Sequence, residues 1–227
     1  MNYLIAAAMA IGAALMAYIT LERTVANRIG LFAPVYREEA ESSKAISKRQ
    51  AGILSALLAV AVFFVTLRVL GYVSHWIGRT KMLVTLLLMT GAGCFDYREH
   101  RIPNVFPIAI AVGAVAIHAT ALLTKQAGAV EYLTSAAITA AACALVLFLA
   151  SALTKQGIGA GDIKLISAVA LMAGVYVTIG TLFFGVVSCS IAAVLLLILK
   201  RKQKSGAVPF GPFLLFGYIV TLFITNY

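Results

Sequence analysis

Long apolar runs separated by short polar connections make up most of this chain. A helix needs roughly 20 residues to cross a hydrocarbon core of about 30 Å. Eight apolar segments are candidates, of which the third, sixth and eighth are short: Tyr3–Leu21, Gly52–Tyr72, Met82–Phe95, Val105–Leu123, Tyr132–Leu153, Ile163–Gly174, Val177–Leu199 and Phe213–Ile224. The sixth and seventh form one continuous run, which we divide at Gly174; the alternative is a single long tilted helix. The pattern predicts an all-α polytopic membrane protein with about eight transmembrane segments, or six at the fewest.

The composition supports a membrane protein over a soluble one. Of 227 residues, 62% are hydrophobic and 11% are charged, whereas soluble domains have roughly 45–50% apolar and about 25% charged residues. We predict a single integral membrane domain, residues 1–227, with a short cytoplasmic loop at 22–51. The net charge of +10 does not indicate nucleic acid, because the chain lacks the exposed polar surface that such binding needs. The charge suits a lipid bilayer with anionic headgroups.

The basic residues predict the orientation of the chain. With the N-terminus outside, the connections 22–51, 96–104, 154–164 and 200–208 carry 14 of the 18 lysines and arginines, against 3 on the opposite side. Such a bias places the basic connections in the cytoplasm. The chain crosses the membrane twice between Asp96 and Asp162, so both aspartates are predicted at the same, cytoplasmic face.

Asp96 and Asp162 are the two aspartates of the sequence, and each lies where an apolar segment meets a polar turn. Ionisable residues at membrane depth are costly and are functional candidates by default. Two carboxyl groups brought together share a proton and can activate a water molecule between them, as in aspartic proteases. We therefore predict one site that contains both residues and no metal.

Several neighbours are predicted to shape this site. The glycines of Gly157-Ile-Gly159-Ala-Gly161-Asp162 allow close approach of another chain, such as a strand-like substrate. Pro103 is expected to start the fourth helix, and Asn104 to cap it or to bond Asp96. Lys164 is expected chiefly to extend to the lipid headgroups, with a catalytic role as the less favoured alternative.

Other interpretations of the same residues exist. Asp162 alone fits a helix N-cap, and glycines between membrane helices fit a packing or hinge element. The aspartates would also suit a small proton- or cation-coupled transporter, although a transporter wants carboxylates near the bilayer midplane. A non-catalytic membrane assembly factor would tolerate Asp-to-Asn changes. The three cysteines, Cys94, Cys143 and Cys189, form no CxxC or Cys/His cluster, so no zinc site is predicted.

Taken together, three motifs resemble a known family. They are Asp96 with Ile102-Pro103-Asn104, Gly159-Ala-Gly-Asp162 with Lys164-Leu165, and Val208-Pro-Phe-Gly-Pro-Phe213 after a basic loop. They are similar to the motifs of the type IV prepilin peptidases, GxGD-type membrane aspartic proteases, from about Met82 to the C-terminus. The resemblance implies that Asp96 and Asp162 are the catalytic pair. It also implies removal of a short basic leader from prepilins or pseudopilins at the cytoplasmic face of the inner membrane.

The chain departs from the long bacterial members of that family. Those members carry paired CxxC motifs in the first cytoplasmic loop, whereas loop 22–51 has no cysteine. The chain therefore resembles a short form, and N-methylation of the new N-terminus is left open. S-adenosylmethionine would be needed only for that methylation, and no cofactor is expected for proteolysis. The stretch Pro209–Pro212 is expected to re-enter the membrane near the site in a packing role. The sequence indicates no oligomeric state.

Overall fold

A computed structural model describes residues 2–21, 48–73, 75–154, 158–198 and 208–225, and every regular element in these ranges is a helix. The helices are α1 (Asn2–Leu21), α2 (Lys48–Tyr72), α3 (Trp76–Glu99), α4 (Val105–Leu123), α5 (Ala129–Leu153), α6 (Ala160–Ile198) and α7 (Gly211–Ile224). The prediction of an all-α protein is confirmed. Most of loop 22–51 and of the connection before α7 lies outside the described residues.

Helix α6 is divided at Gly174, which has φ 81° and ψ −177°. A side chain at that position would lie 2.9 Å from the Tyr132 hydroxyl, close to the start of α5. Beyond the break the chain reverses, because Gly180 contacts Thr221 near the end of α7 while Gly185 contacts Leu214 near its start. The division predicted at Gly174 is therefore confirmed, and a single straight helix is excluded.

Successive helical segments run in opposite directions between two ends of the bundle. We call the end that contains Asp96 the aspartate end and the opposite one the far end. At the aspartate end, Leu21 of α1 and Ala51 of α2 pack with Cys94 of α3. At the far end, the Arg68 Nε of α2 donates a hydrogen bond of 3.1 Å to the carbonyl oxygen of Phe223 in α7. The chain thus reaches the aspartate end at the end of α1 and returns to it after every two further helical segments.

Helix α3 lies at the centre of the bundle and contacts α1, α2, α4, α6 and α7. Leu86 and Met89 are almost completely buried. The buried Tyr218 of α7 donates a hydrogen bond of 3.0 Å to the Met82 carbonyl oxygen. Helix α5 lies at the periphery, where Ala136 is its one buried residue. Its outer face is apolar, as expected for a surface in contact with lipid.

Five of the described helices are long and apolar enough to cross a bilayer: α1, α2, α4, α5 and α6. The shorter α7 is also apolar, which brings the number of spans to about five or six, below the eight we predicted. Two features account for the difference. Helix α6 counts once although it contains two antiparallel halves, and the charged residues of α3, among them Lys81 and Asp96, lower its hydropathy. The protein is nonetheless a multi-pass membrane protein.

Candidate active site

Asp96 lies near the end of α3, with 5% of its surface exposed. The main-chain N–H of Gly211, the first residue of α7, donates a hydrogen bond of 2.7 Å to its Oδ2. The helix ends just beyond, where the His100 N–H bonds the Asp96 carbonyl oxygen at 2.8 Å and His100 adopts the left-handed conformation. These contacts hold the Asp96 carboxyl against the start of α7.

Asp162 lies in the first turn of α6 and is partly buried. Its side chain lies against Gly159, where an added Cβ would be 2.9 Å from the Asp162 Oδ2. Its Oδ1 is buried and has no hydrogen-bond partner in the described part of the chain. Asp162 and Asp96 are close enough to interact electrostatically. The structure therefore brings the two predicted residues together at the aspartate end.

The turn between α3 and α4 packs directly on the start of α6. A side chain at Gly161 would lie 3.1 Å from the Ile102 Cβ and 3.3 Å from its carbonyl oxygen, so the absence of one lets the turn approach. The glycines were predicted to allow close approach of another chain. At Gly161 the segment that approaches is Ile102 of the same protein. Gly157 lies outside the described residues.

The fourth helix begins at Val105 with Asn104 at its N-cap position, so Pro103 lies just before the helix and does not start it as predicted. Asn104 makes no side-chain capping hydrogen bond. Its Oδ1 instead accepts one from the Lys164 Nζ at 3.1 Å. The predicted capping role of Asn104 is therefore wrong, and Lys164 connects the start of α6 to the Ile-Pro-Asn turn.

The contact of Gly211 with Asp96 was not predicted from the sequence. The stretch Pro209–Pro212 was expected to pack near the site, whereas its glycine binds a carboxylate directly. The available signal was a glycine placed immediately before Pro212 at the start of an apolar segment. The free N–H groups of a helix start are ready donors for a carboxylate.

The remaining charged groups near Asp96 have other partners. Arg98 pairs with Glu99 at 2.5 Å and also donates to the Thr20 carbonyl oxygen, which fixes the end of α1. Across the described ranges, no three His, Cys, Asp or Glu side chains come together in an arrangement that could hold a metal ion.

The helical bundle and the two aspartates at one end of it define the class of this protein. It is a multi-pass membrane protein with a site made of two carboxyl groups. Residues 82–197 match the model of the type IV leader peptidase family. That match covers just over half of the chain, and the protein belongs to this family. No curated protein and no solved structure matches the chain.

Family membership identifies the protein as a peptidase, and it implies substrates of the prepilin-type precursor class. The resemblance drawn from the motifs is thus confirmed. The matched region contains both aspartates and ends before the Pro209–Pro212 stretch. Nothing in the family or in the described structure supports the transporter alternative.

Proposed function

We propose that the protein is an aspartic endopeptidase that removes the short basic leader from type IV prepilin-like precursors. Asp96 and Asp162 would form the catalytic pair. The observation that carries this proposal is the position of the two carboxyl groups. They are 66 positions apart in the sequence, yet at one end of the bundle they lie close enough for the charge of Asp96 to act on Asp162, in a chain of the type IV leader peptidase family.

The chemistry requires one proton shared by the pair. One carboxylate takes a proton from the bound water while the water oxygen attacks the scissile carbonyl carbon. The other carboxyl gives its proton to the carbonyl oxygen, which forms a neutral tetrahedral diol. When the C–N bond breaks, the amine leaves with one proton and the carboxyl product forms, so the pair returns to its starting state. The two carboxyl groups carry out every proton transfer in this reaction, so the proposed mechanism needs no metal and no cofactor.

The location of the basic residues supports a cytoplasmic active site. Connection 22–47 joins the end of α1 to the start of α2, and connection 199–207 leads to the start of α7. These helix ends lie at the aspartate end. Arg98, Arg101 and Lys164 are also in this region of the chain. The positive-inside rule assigns such an end to the cytoplasm. The leader of a prepilin is cut next to its apolar helix, at the surface of the inner membrane. The cleavage point would therefore lie beside the aspartates.

Replacement of each aspartate by asparagine tests the proposal. Asp96→Asn and Asp162→Asn keep the side-chain shape but remove the shared proton and the charge, so each variant should be inactive while folded. Glu99→Gln removes one negative charge from the same end and should keep activity near that of the wild type. Purified variants are incubated with a prepilin in detergent, and leader removal is followed by gel mobility. Normal processing by either asparagine variant would refute the aspartic mechanism.

Methylation of the new N-terminus is a separate question for the same assay. Mass spectrometry of the cleaved prepilin, with and without S-adenosylmethionine, shows whether a methyl group is added. A product that is cleaved but unmethylated in both samples identifies a peptidase without transferase activity.

A further inference from the structure

Gly211 is placed where it contacts the Asp96 side chain from the start of α7. Its N–H to Asp96 Oδ2 distance of 2.7 Å lies at the short end of the range for hydrogen bonds from N–H donors. The first N–H groups of a helix have no partner within the helix, and they carry part of its positive dipole. Asp96 is 5% exposed, so little water competes for this bond.

The space at Gly211 admits no side chain. A Cβ there would lie 2.8 Å from the Asp96 Cβ, 3.0 Å from Oδ2 and 3.2 Å from Cγ. A Cβ is fixed to the backbone and cannot rotate away, so Asp96 or the start of α7 would have to move. The hydrogen bond and the close contact both act on the same carboxyl group.

Gly93 provides a comparison within the same pair of helices. It lies one turn before Asp96 on α3, and a Cβ there would contact the Gly211 carbonyl oxygen at 3.3 Å and Leu215 at 3.4 Å. A substitution at Gly93 therefore crowds the α3–α7 contact with no direct contact to the carboxyl group. Comparison of substitutions at the two glycines therefore distinguishes an effect on helix packing from an effect on the placement of Asp96.

We propose that Gly211 is a positioning residue of the peptidase, whose main-chain N–H fixes the Asp96 carboxyl for reaction while the missing side chain leaves that carboxyl its space. The proposal rests on the proposed aspartic mechanism. By this arrangement Oδ2 of Asp96 is committed to α7, and Oδ1 is the atom that faces the reacting water. Gly211 acts through Asp96 and does not itself touch the substrate.

Steady-state cleavage of a prepilin by Gly211→Ala and Gly93→Ala tests this role. Gly211→Ala should lower kcat on the order of 10- to 100-fold, the range for losing a hydrogen bond to a charged group. Its KM should stay within about threefold of the wild-type value, since the substrate contacts remain. Gly93→Ala, whose new Cβ meets the Gly211 carbonyl oxygen but not the Asp96 carboxyl group, should lower kcat clearly less than Gly211→Ala does. A rise in KM at unchanged kcat, or equal losses of kcat in both variants, would overturn the proposal.

A backbone change keeps the proposal testable if Gly211→Ala does not fold. Glycolic acid in place of Gly211, introduced during in vitro translation, converts the amide to an ester and removes the N–H without adding an atom. The same change at Gly217 removes an N–H from the interior of α7 and is the matched control. The ester at position 211 should lower kcat about tenfold relative to the ester at 217. Equal kcat in the two esters would overturn the positioning role.

The Asp96→Asn variant distinguishes failure of this inference from failure of the proposed function. If that variant is inactive while Gly211→Ala has wild-type kcat, the aspartic mechanism stands and the positioning role is wrong. If Asp96→Asn cleaves normally, both are wrong.

Discussion

Substitution of Gly161 by alanine tests the contact that joins the two halves of the site. The new Cβ would lie 3.1 Å from the Ile102 Cβ and 3.3 Å from its carbonyl oxygen. Crowding of this kind costs about 1–3 kcal/mol. Alanine in a helix also gains about 0.5–1 kcal/mol over glycine. The net expectation is a loss of up to about 2.5 kcal/mol of stability.

The larger effect of Gly161→Ala should be on catalysis. Position 161 adjoins Asp162, and the turn at Ile102 follows Asp96 by six positions. A shift of a few tenths of an ångström between them changes the separation of the carboxyl groups. A misplacement of about 1 Å costs roughly 100-fold in rate, so we expect kcat to fall about threefold to tenfold.

Gly113→Ala is the matched control. A Cβ at Gly113 would also lie 3.1 Å from a neighbour, but that neighbour is the terminal methyl group of Met172, which can rotate away. This variant should be as stable as the wild type or up to about 1 kcal/mol more stable, with unchanged kcat. Thermal unfolding in detergent and initial rates of prepilin cleavage measure both quantities. Identical behaviour of the two variants would show that the contact with Ile102 does not restrain the site.

Three further outcomes are expected. Gly174→Ala should destabilise the protein by about 2–4 kcal/mol in thermal unfolding, because the φ and ψ of this residue are accessible only to glycine and the new Cβ meets the Tyr132 hydroxyl. A variant as stable as the wild type would show that the break in α6 does not require glycine. Tyr218→Phe should cost about 1 kcal/mol through loss of the bond to Met82 with kcat preserved, and reduced kcat at wild-type stability would contradict a purely structural bond. Cleavage should proceed at the wild-type rate after dialysis against a chelator, whereas loss of activity that added zinc restores would refute the metal-free mechanism.

The sequence predicted the helices well because membrane spans depend on length and apolarity alone. Val105–Leu123 was predicted with the bounds that the structure has. The break at Gly174 was predicted because glycine interrupts a run too long for one span. The structure has fewer long apolar helices than the eight segments predicted, because α6 contains two of those segments and the charged residues of α3 lower its hydropathy.

The pairing of Asp96 and Asp162 could be predicted from the parity of crossings, which sets the face on which each residue lies. The partners of their side chains could not be predicted. Hydrogen bonds such as those from Gly211 to Asp96 and from Lys164 to Asn104 join distant positions. They depend on how helices pack laterally, and the apolar pattern of each helix holds little information about that packing.

The two helices that begin beside the acidic pair are unusually short. Residues 160–173 and helix α7 contain 14 residues each, about 21 Å at the rise of an α-helix, whereas the hydrocarbon layer is about 30 Å thick. Lipid next to short helices thins, or headgroups and water move inward. We therefore expect a local depression of the membrane surface over the aspartates, through which solvent for hydrolysis enters. A precursor anchored by its own apolar helix could then present its cleavage point to the enzyme without being withdrawn from the lipid.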